Sequence, residues 1–188
     1  MKKVRCKWAN DSTLVKKYHD EEWGIPQHND QKLFEMLTLE GAQAGLSWST
    51  ILSRREGYRK AFKGFNVNLI SKFTNEDIER LMKDKSIIRN HLKIKSTISN
   101  ANAFIDIQKE FDSFDNYIWS FTNKKIIINN FNKSNEVPTE TELSIQISND
   151  LKKRRFSFVG PTITYAFLQA IGVVNDHLNT CFFKKNYN

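Results

Sequence analysis

The sequence predicts an all-α fold, a single helical domain over residues 1–188, and three observations carry that prediction. Apolar residues recur at helical rather than alternating spacing along almost the whole chain. The breakers are few, seven glycines and three prolines, and they punctuate those runs. No internal repeat, low-complexity linker or break in composition marks a second domain. At 188 residues the chain is long enough to bury a sizeable core.

Taken in order, Asn29 or Asp30 is placed to cap a helix that runs through residues 32–37 to about Gly45. Ser47 opens the next, with Trp48, Ile51, Leu52 and Phe62 at helix-compatible spacing. Thr74-Asn75-Glu76-Asp77 starts a short helix through Leu81. A longer one follows, in which Ile87, His91, Ile94, Ile98 and Ala101 share a stripe. Tyr117, Trp119 and Phe121 mark a short element. Residues 122–138 are polar and Asn-rich and read as a surface loop, although Ile126-Ile127-Ile128 is also compatible with a short strand. A helix carries Leu143, Ile147 and Leu151, and a last unit spans residues 156–181.

Composition narrows the classes of function. No apolar run approaches the roughly 20 residues of a bilayer-crossing helix, so no membrane role is expected. The N-terminal seven residues are basic without the apolar stretch of a secretory signal, which points to the cytoplasm. In a reducing compartment, Cys6 and Cys181 are core thiols or metal ligands rather than a disulfide. Two cysteines cannot supply the four thiolates of an iron–sulfur cluster. The net charge of +8, from 29 basic against 21 acidic side chains, favours a polyanionic partner.

Four groups of residues bear chemistry. Leu33, Leu37, Glu40 and Ala44 project within about 60° of one another on a helix, which sets a carboxylate in an apolar stripe. Such a group is either a pocket carboxylate or a buried one paired with Arg or a backbone amide. Trp8, Tyr18, Trp23 and Trp48 lie near that helix in sequence, as core packing or as flat faces suited to a nucleobase. Cys6 and His19 at one end, with His177 and Cys181 at the other, form a possible Cys₂His₂ set. On a helix, the four-residue spacing of the last two would put both on one face. Finally, the turn Val159-Gly160-Pro161-Thr162 opens an apolar helix just after Lys152-Lys153-Arg154-Arg155. Free amides there suit a phosphate, or the turn is a plain interhelical link.

Several ordered motifs then coincide: Cys6-Lys7-Trp8, Tyr18-His19-Asp20-Glu21-Glu22-Trp23-Gly24-Ile25-Pro26, residues 39–48 (LEGAQAGLSW), Trp119-Ser120-Phe121 and Val174-Asn175-Asp176-His177. Together, from about Arg5 to Cys181, they closely resemble the bacterial 3-methyladenine DNA glycosylase I family, within the helix-hairpin-helix DNA glycosylases. The resemblance implies a helix-hairpin-helix unit over residues 158–167. It also implies one structural Zn²⁺ on Cys6, His19, His177 and Cys181, joining the N- and C-terminal segments. Glu40 matches the carboxylate that recognises the methylated base. Tyr18 and Trp48 match its aromatic contacts, with Trp8, Trp23 and Gln43 in the same substrate-binding set. Gly45-Leu46 matches the loop that plugs the duplex, and Gly160 and Thr162 are expected on a DNA phosphate, with Arg54, Arg55, Arg59 and the 152–155 run as supports.

The activity so implied is monofunctional excision of 3-methyladenine from alkylated double-stranded DNA by a monomer, with free 3-methyladenine as product. Asn175 stands where most helix-hairpin-helix glycosylases place a catalytic Asp. No lysine lies between Phe156 and His177, where bifunctional relatives carry a Schiff-base nucleophile. Val15 replaces a frequent aromatic and Thr13 a frequent proline, which leaves open a related purine such as 7-methylguanine. A non-catalytic, zinc-stabilised nucleic-acid module would also explain the charge and the Cys/His set, but not Glu40.

Overall fold

In the computed structural model, which describes residues 3–184, the chain wraps around one buried helix, α2 (Asp30–Gln43). Met1 and Lys2 of the basic N-terminal run lie outside the described residues. Asn29 caps α2, its side chain accepting from the Lys32 amide. Every side chain from position 33 to 42 is buried, so the stripe around Glu40 is one face of a helix that is enclosed all round. Helices α3 (Trp48–Ala61), α6 (His91–Phe111), α7 (Phe114–Ser120) and α9 (Pro161–Ala170) surround it.

The remaining elements follow from local caps. Ser47 accepts from the Thr50 amide and starts α3, and a capping box between Thr74 and Asp77 starts α5 (Asn75–Lys83). Asn90 caps α6, so Ile87 lies in the preceding turn rather than on that helix, although it is buried as the stripe predicts. Two helices were not expected from periodicity: α1 (Thr13–Glu21), capped by Ser12, and the single turn α4 (Val67–Ile70), capped by Asn66. Both are too short to show two full apolar repeats.

Helices α8 (Glu142–Lys153) and α9 pack against each other, joined by a short turn. That turn holds Arg155 and Phe158 at positive φ. Asn100 on α6 grips that turn twice, donating to the Ser157 carbonyl at 2.9 Å and accepting from its amide at 2.8 Å. The hydroxyls of Ser148 and Thr164 both donate to the Val159 carbonyl. Gly41 lets the turn lie against α2, since a Cβ there would stand 3.3 Å from Phe158.

The all-α expectation needs one correction. Ile127–Ile128 (β1) pairs in parallel with Val174–Asn175 (β2), Ile127 opposite Val174. The isoleucine run is therefore a strand, which ties the polar 122–138 segment to the C-terminal segment. A second correction follows. His177 and Cys181 lie in the irregular segment after β2, not on a helix, so turns rather than an i,i+4 face bring them together.

Candidate active site

Glu40 sits near the C-terminal end of α2, 5% exposed, on the wall of a cavity of about 370 Å³. No hydrogen bond or ion pair to its carboxylate occurs among the described residues, and burial pushes its pKa up to about 8. Glu35, five residues earlier and also buried, makes the contrast plain. It accepts from Arg55 at 2.6 Å and from Arg59 at 2.9 Å. The paired, structural reading of a buried carboxylate thus describes Glu35. Glu40 has been left without a partner on the same helix.

The groups beside Glu40 share that condition. The Tyr18 hydroxyl and the Trp48 indole N–H are buried with no hydrogen-bond partner among the described residues. Burial, and then the charge of Glu40, raise the Tyr18 pKa, which places the phenol next to the carboxylate. Tyr18 comes from α1 and Trp48 from the first turn of α3, their rings 5.1 Å apart and tilted by 56°. Trp8 and Trp23 continue the wall edge to face, 4.8 Å apart, and Gln43 completes the predicted set. Buried polar groups are almost always satisfied. Three unsatisfied groups facing one cavity, a carboxylate, a phenol and an indole N–H, describe a site built for a ligand with both hydrogen-bond donors and acceptors and a flat face for the rings.

Val15 is buried and is not among the residues that line the cavity. Sequence reasoning missed Gln169 and Asp176, which line the same cavity from α9 and the segment after β2. Asp176 was visible only as a neighbour of Asn175. The loop residues Ser134 and Val137 were missed as well, since no local pattern ties the Asn-rich segment to this wall.

A second cluster lies immediately behind the indoles. Cys6, His19, His177 and Cys181 are all buried, and their donor atoms lie within 4.8 Å of one another. Cys181 Sγ is 3.5 Å from His19 Nε2. The other His19 nitrogen meets Asp20 at 2.9 Å, and Arg5 clamps Asp20 in turn. That relay leaves Nε2 as the inward lone pair. Both ring nitrogens of His177 are buried without a partner among the described residues, and burial lowers its pKa to about 4, so the ring is neutral at pH 7. A hydrogen bond between the thiols, ahead of burial, pushes the Cys6 pKa up; the same bond, ahead of the contact with His19, pulls Cys181 down. Gly24, at φ +78°, leaves room for the His177 ring, 3.2 Å from where a Cβ would stand. An orphaned neutral imidazole facing two thiols fits a metal ion, and these four residues would hold it.

The predicted DNA-contact residues are divided. Gly45, at φ +78°, and Leu46, 39% exposed, form a protruding turn between α2 and α3. Its base is held by Lys93, which donates to the carbonyls of Ala42 and Ala44. Gly160 caps α9 and Thr162 is exposed in its first turn, with Lys152, Lys153 and Arg155 exposed nearby. The arginines are largely committed elsewhere. Arg55 and Arg59 hold Glu35, Arg54 donates to the Lys85 carbonyl, and Arg154 pairs with Glu110 and Asp150.

The profile of the Methyladenine glycosylase family matches residues 8–185. The chain belongs to that family. Among its relatives, the DNA-3-methyladenine glycosylase of Haemophilus influenzae is 46% identical, over 95% of this chain and 96% of that one. DNA-3-methyladenine glycosylase 1 of Escherichia coli is 45% identical, over 94% and 95%. A structure of 3-methyladenine DNA glycosylase I from Staphylococcus aureus, solved for the basis of 3-methyladenine recognition, superposes with a TM-score of 0.93. It is 33% identical and the match covers 96% of both chains.

Proposed function

We propose that this methyladenine glycosylase family member releases 3-methyladenine from alkylated double-stranded DNA, acting as a single-domain monomer and leaving an abasic site. The observation that carries the reading is the unpartnered Glu40 beside the Tyr18 hydroxyl and Trp48 indole, in a cavity walled by aromatic rings. Methylation at N3 gives adenine a fixed positive charge, and a flipped cationic purine supplies what that cavity lacks: donors for the carboxylate and a face for the rings. Extrusion costs a few kcal/mol, and Leu46 on its exposed turn is placed to fill the gap left in the duplex.

Cleavage then needs little acid catalysis. The bonding pair between N9 and C1′ moves onto the base, which leaves neutral. Water adds to the sugar cation at C1′, and one proton is released. Glu40 holds the cationic base by its exocyclic amine, and the low dielectric strengthens the attraction. This division of labour accounts for Asn175 at the position of the usual catalytic Asp. The Cys6, His19, His177 and Cys181 set we assign to one structural zinc, which these four side chains would hold and whose charge two thiolates would balance.

Incubation with methylated duplex DNA, followed by chromatography of the released bases, tests the assignment. Free 3-methyladenine is expected, with strands intact and no borohydride-trapped adduct, because no lysine lies in residues 157–176. Failure to release any base would leave only a binding module. For the DNA contact, the amides at the start of α9 and the exposed lysines of the hairpin are expected on phosphates. Fluorescence anisotropy should then show affinity for duplex falling steeply with salt, by at least an order of magnitude between about 50 and 200 mM. A flat profile would rule out phosphate-dominated binding.

A further inference from the structure

The cavity wall contains a second carboxylate, which the scheme above does not use. Asp176 is 2% exposed and lines the cavity. It accepts from three neutral donors: the Tyr165 hydroxyl, the Asn129 amide at 2.8 Å and the Gln169 amide at 2.7 Å. A carboxylate so held only accepts, so it dictates which end of the Gln169 amide turns toward it. The nitrogen is committed to Asp176, and the oxygen is left for the cavity that Gln169 also lines. Among the described residues no hydrogen bond reaches that oxygen. Gln169 itself is held in place, since its α9 neighbours Tyr165, Leu168 and Ala170 are buried and the Gln169 carbonyl accepts from Gly24 at 3.0 Å.

We infer that Gln169 is a specificity-determining residue, held by Asp176 so that the cavity offers the purine a second acceptor besides Glu40. The inference deepens the glycosylase reading and rests on it. Two fixed acceptors favour a cationic purine that presents its amine at C6. They oppose a 6-oxo purine, whose own acceptor would face them, and mismatched polar groups in a closed site discriminate far more strongly than a missing methylene does. Gln169 would touch the base; Asp176 acts only through it, as a positioning residue.

The flip of one amide makes the idea testable. In D176N the anchor gains an N–H, so Gln169 is free to turn its own nitrogen into the cavity and present a donor. In Q169L the acceptor is gone altogether. Each variant is to be incubated with the same dimethyl-sulfate-treated duplex, and released 3-methyladenine and 7-methylguanine quantified together. Wild-type protein should release almost only 3-methyladenine. Q169L is expected to lose about tenfold in 3-methyladenine kcat/KM, the scale of one lost hydrogen bond. D176N should raise the fraction of 7-methylguanine at least as much as Q169L does, with a circular dichroism spectrum like wild type. If both bases fell in the wild-type proportion, Gln169 would be packing and the inference overturned. Q169L keeps the test decisive should D176N not fold, because the Gln169 side chain donates only to Asp176. Wild-type protein that released no base would instead sink the glycosylase reading itself.

Discussion

Glu40→Gln is expected to lower 3-methyladenine excision by about 10²–10³-fold, the usual scale for removing a preorganised charge from a reacting centre. The amide keeps the shape and can still accept one hydrogen bond, but it cannot neutralise a cationic base. Affinity for free 3-methyladenine should fall with it, measured by tryptophan fluorescence, since Trp48 and Trp8 stand beside the site. A variant that excised at the wild-type rate would end the assignment.

The same residue sets a pH dependence whose two halves run in opposite directions. Burial raises the folded-state pKa of Glu40 to about 8, far above its ordinary value of 4.5. The folded protein therefore binds this proton more tightly than the unfolded chain. Stability from the neutral form is complete below pH 4.5 and is lost as pH rises through about 8, amounting to a few kcal/mol overall. Recognition of a fixed cation needs the ionised form, so kcat/KM should climb with pH and level off above about 8. In the Gln variant both trends should vanish, leaving a protein that melts higher than wild type at pH 9 and excises poorly at every pH. Activity at this position is obtained at the expense of stability.

How far the sequence anticipates this site depends on the range over which each signal acts. Caps are local, so Asn29, Ser47 and Thr74 are read correctly from a few residues. Glu40 stands out because one charge interrupts an apolar stripe, but periodicity sets Glu35 about 140° away, off that stripe, and does not foresee that it is buried too. Only the positions of Arg55 and Arg59, on another helix, separate the paired carboxylate from the free one. Strand β1 escapes an all-α reading because its two residues gain their meaning from Val174, 47 positions away in the register that the sheet fixes. Gln169 and Asp176 escape for the same reason: an amide seven residues before a carboxylate says nothing until α9 and the following turn fold them onto one wall. The motif resemblance bridges these distances because it carries the long-range arrangement of a whole family, which composition and spacing do not.

Metal removal is the second large effect expected, and it should act on folding before it acts on chemistry. Refolding in a chelator, or substituting Cys181→Ser, is expected to lower the melting temperature by about 10–20 °C. Structural zinc contributes many kcal/mol to folding, and each kcal/mol is worth about 2–4 °C in a chain of this size. The geometry explains why so much depends on one ion. Cys6 lies near the N-terminus and His19 on α1, whereas His177 and Cys181 follow β2; beside these four, the Leu178 amide reaches Cys6 Sγ at 3.5 Å, the Phe182 amide donates to the Val4 carbonyl at 2.8 Å, and Lys3 and Arg5 stand over the Phe182 ring. Without a metal, His177 would keep two buried ring nitrogens unsatisfied, with no compensating partner among the described residues. The loss should also reach the base cavity, because Trp23 rests edge-on against His177 at 4.5 Å and Trp8 against His19 at 5.3 Å. Calorimetry with parallel metal analysis checks the claim: one zinc per chain lost together with the thermal stability supports it. An apo protein that melts at the holo temperature would mean the four side chains are merely packed, and the tether between the chain ends would have to be sought elsewhere.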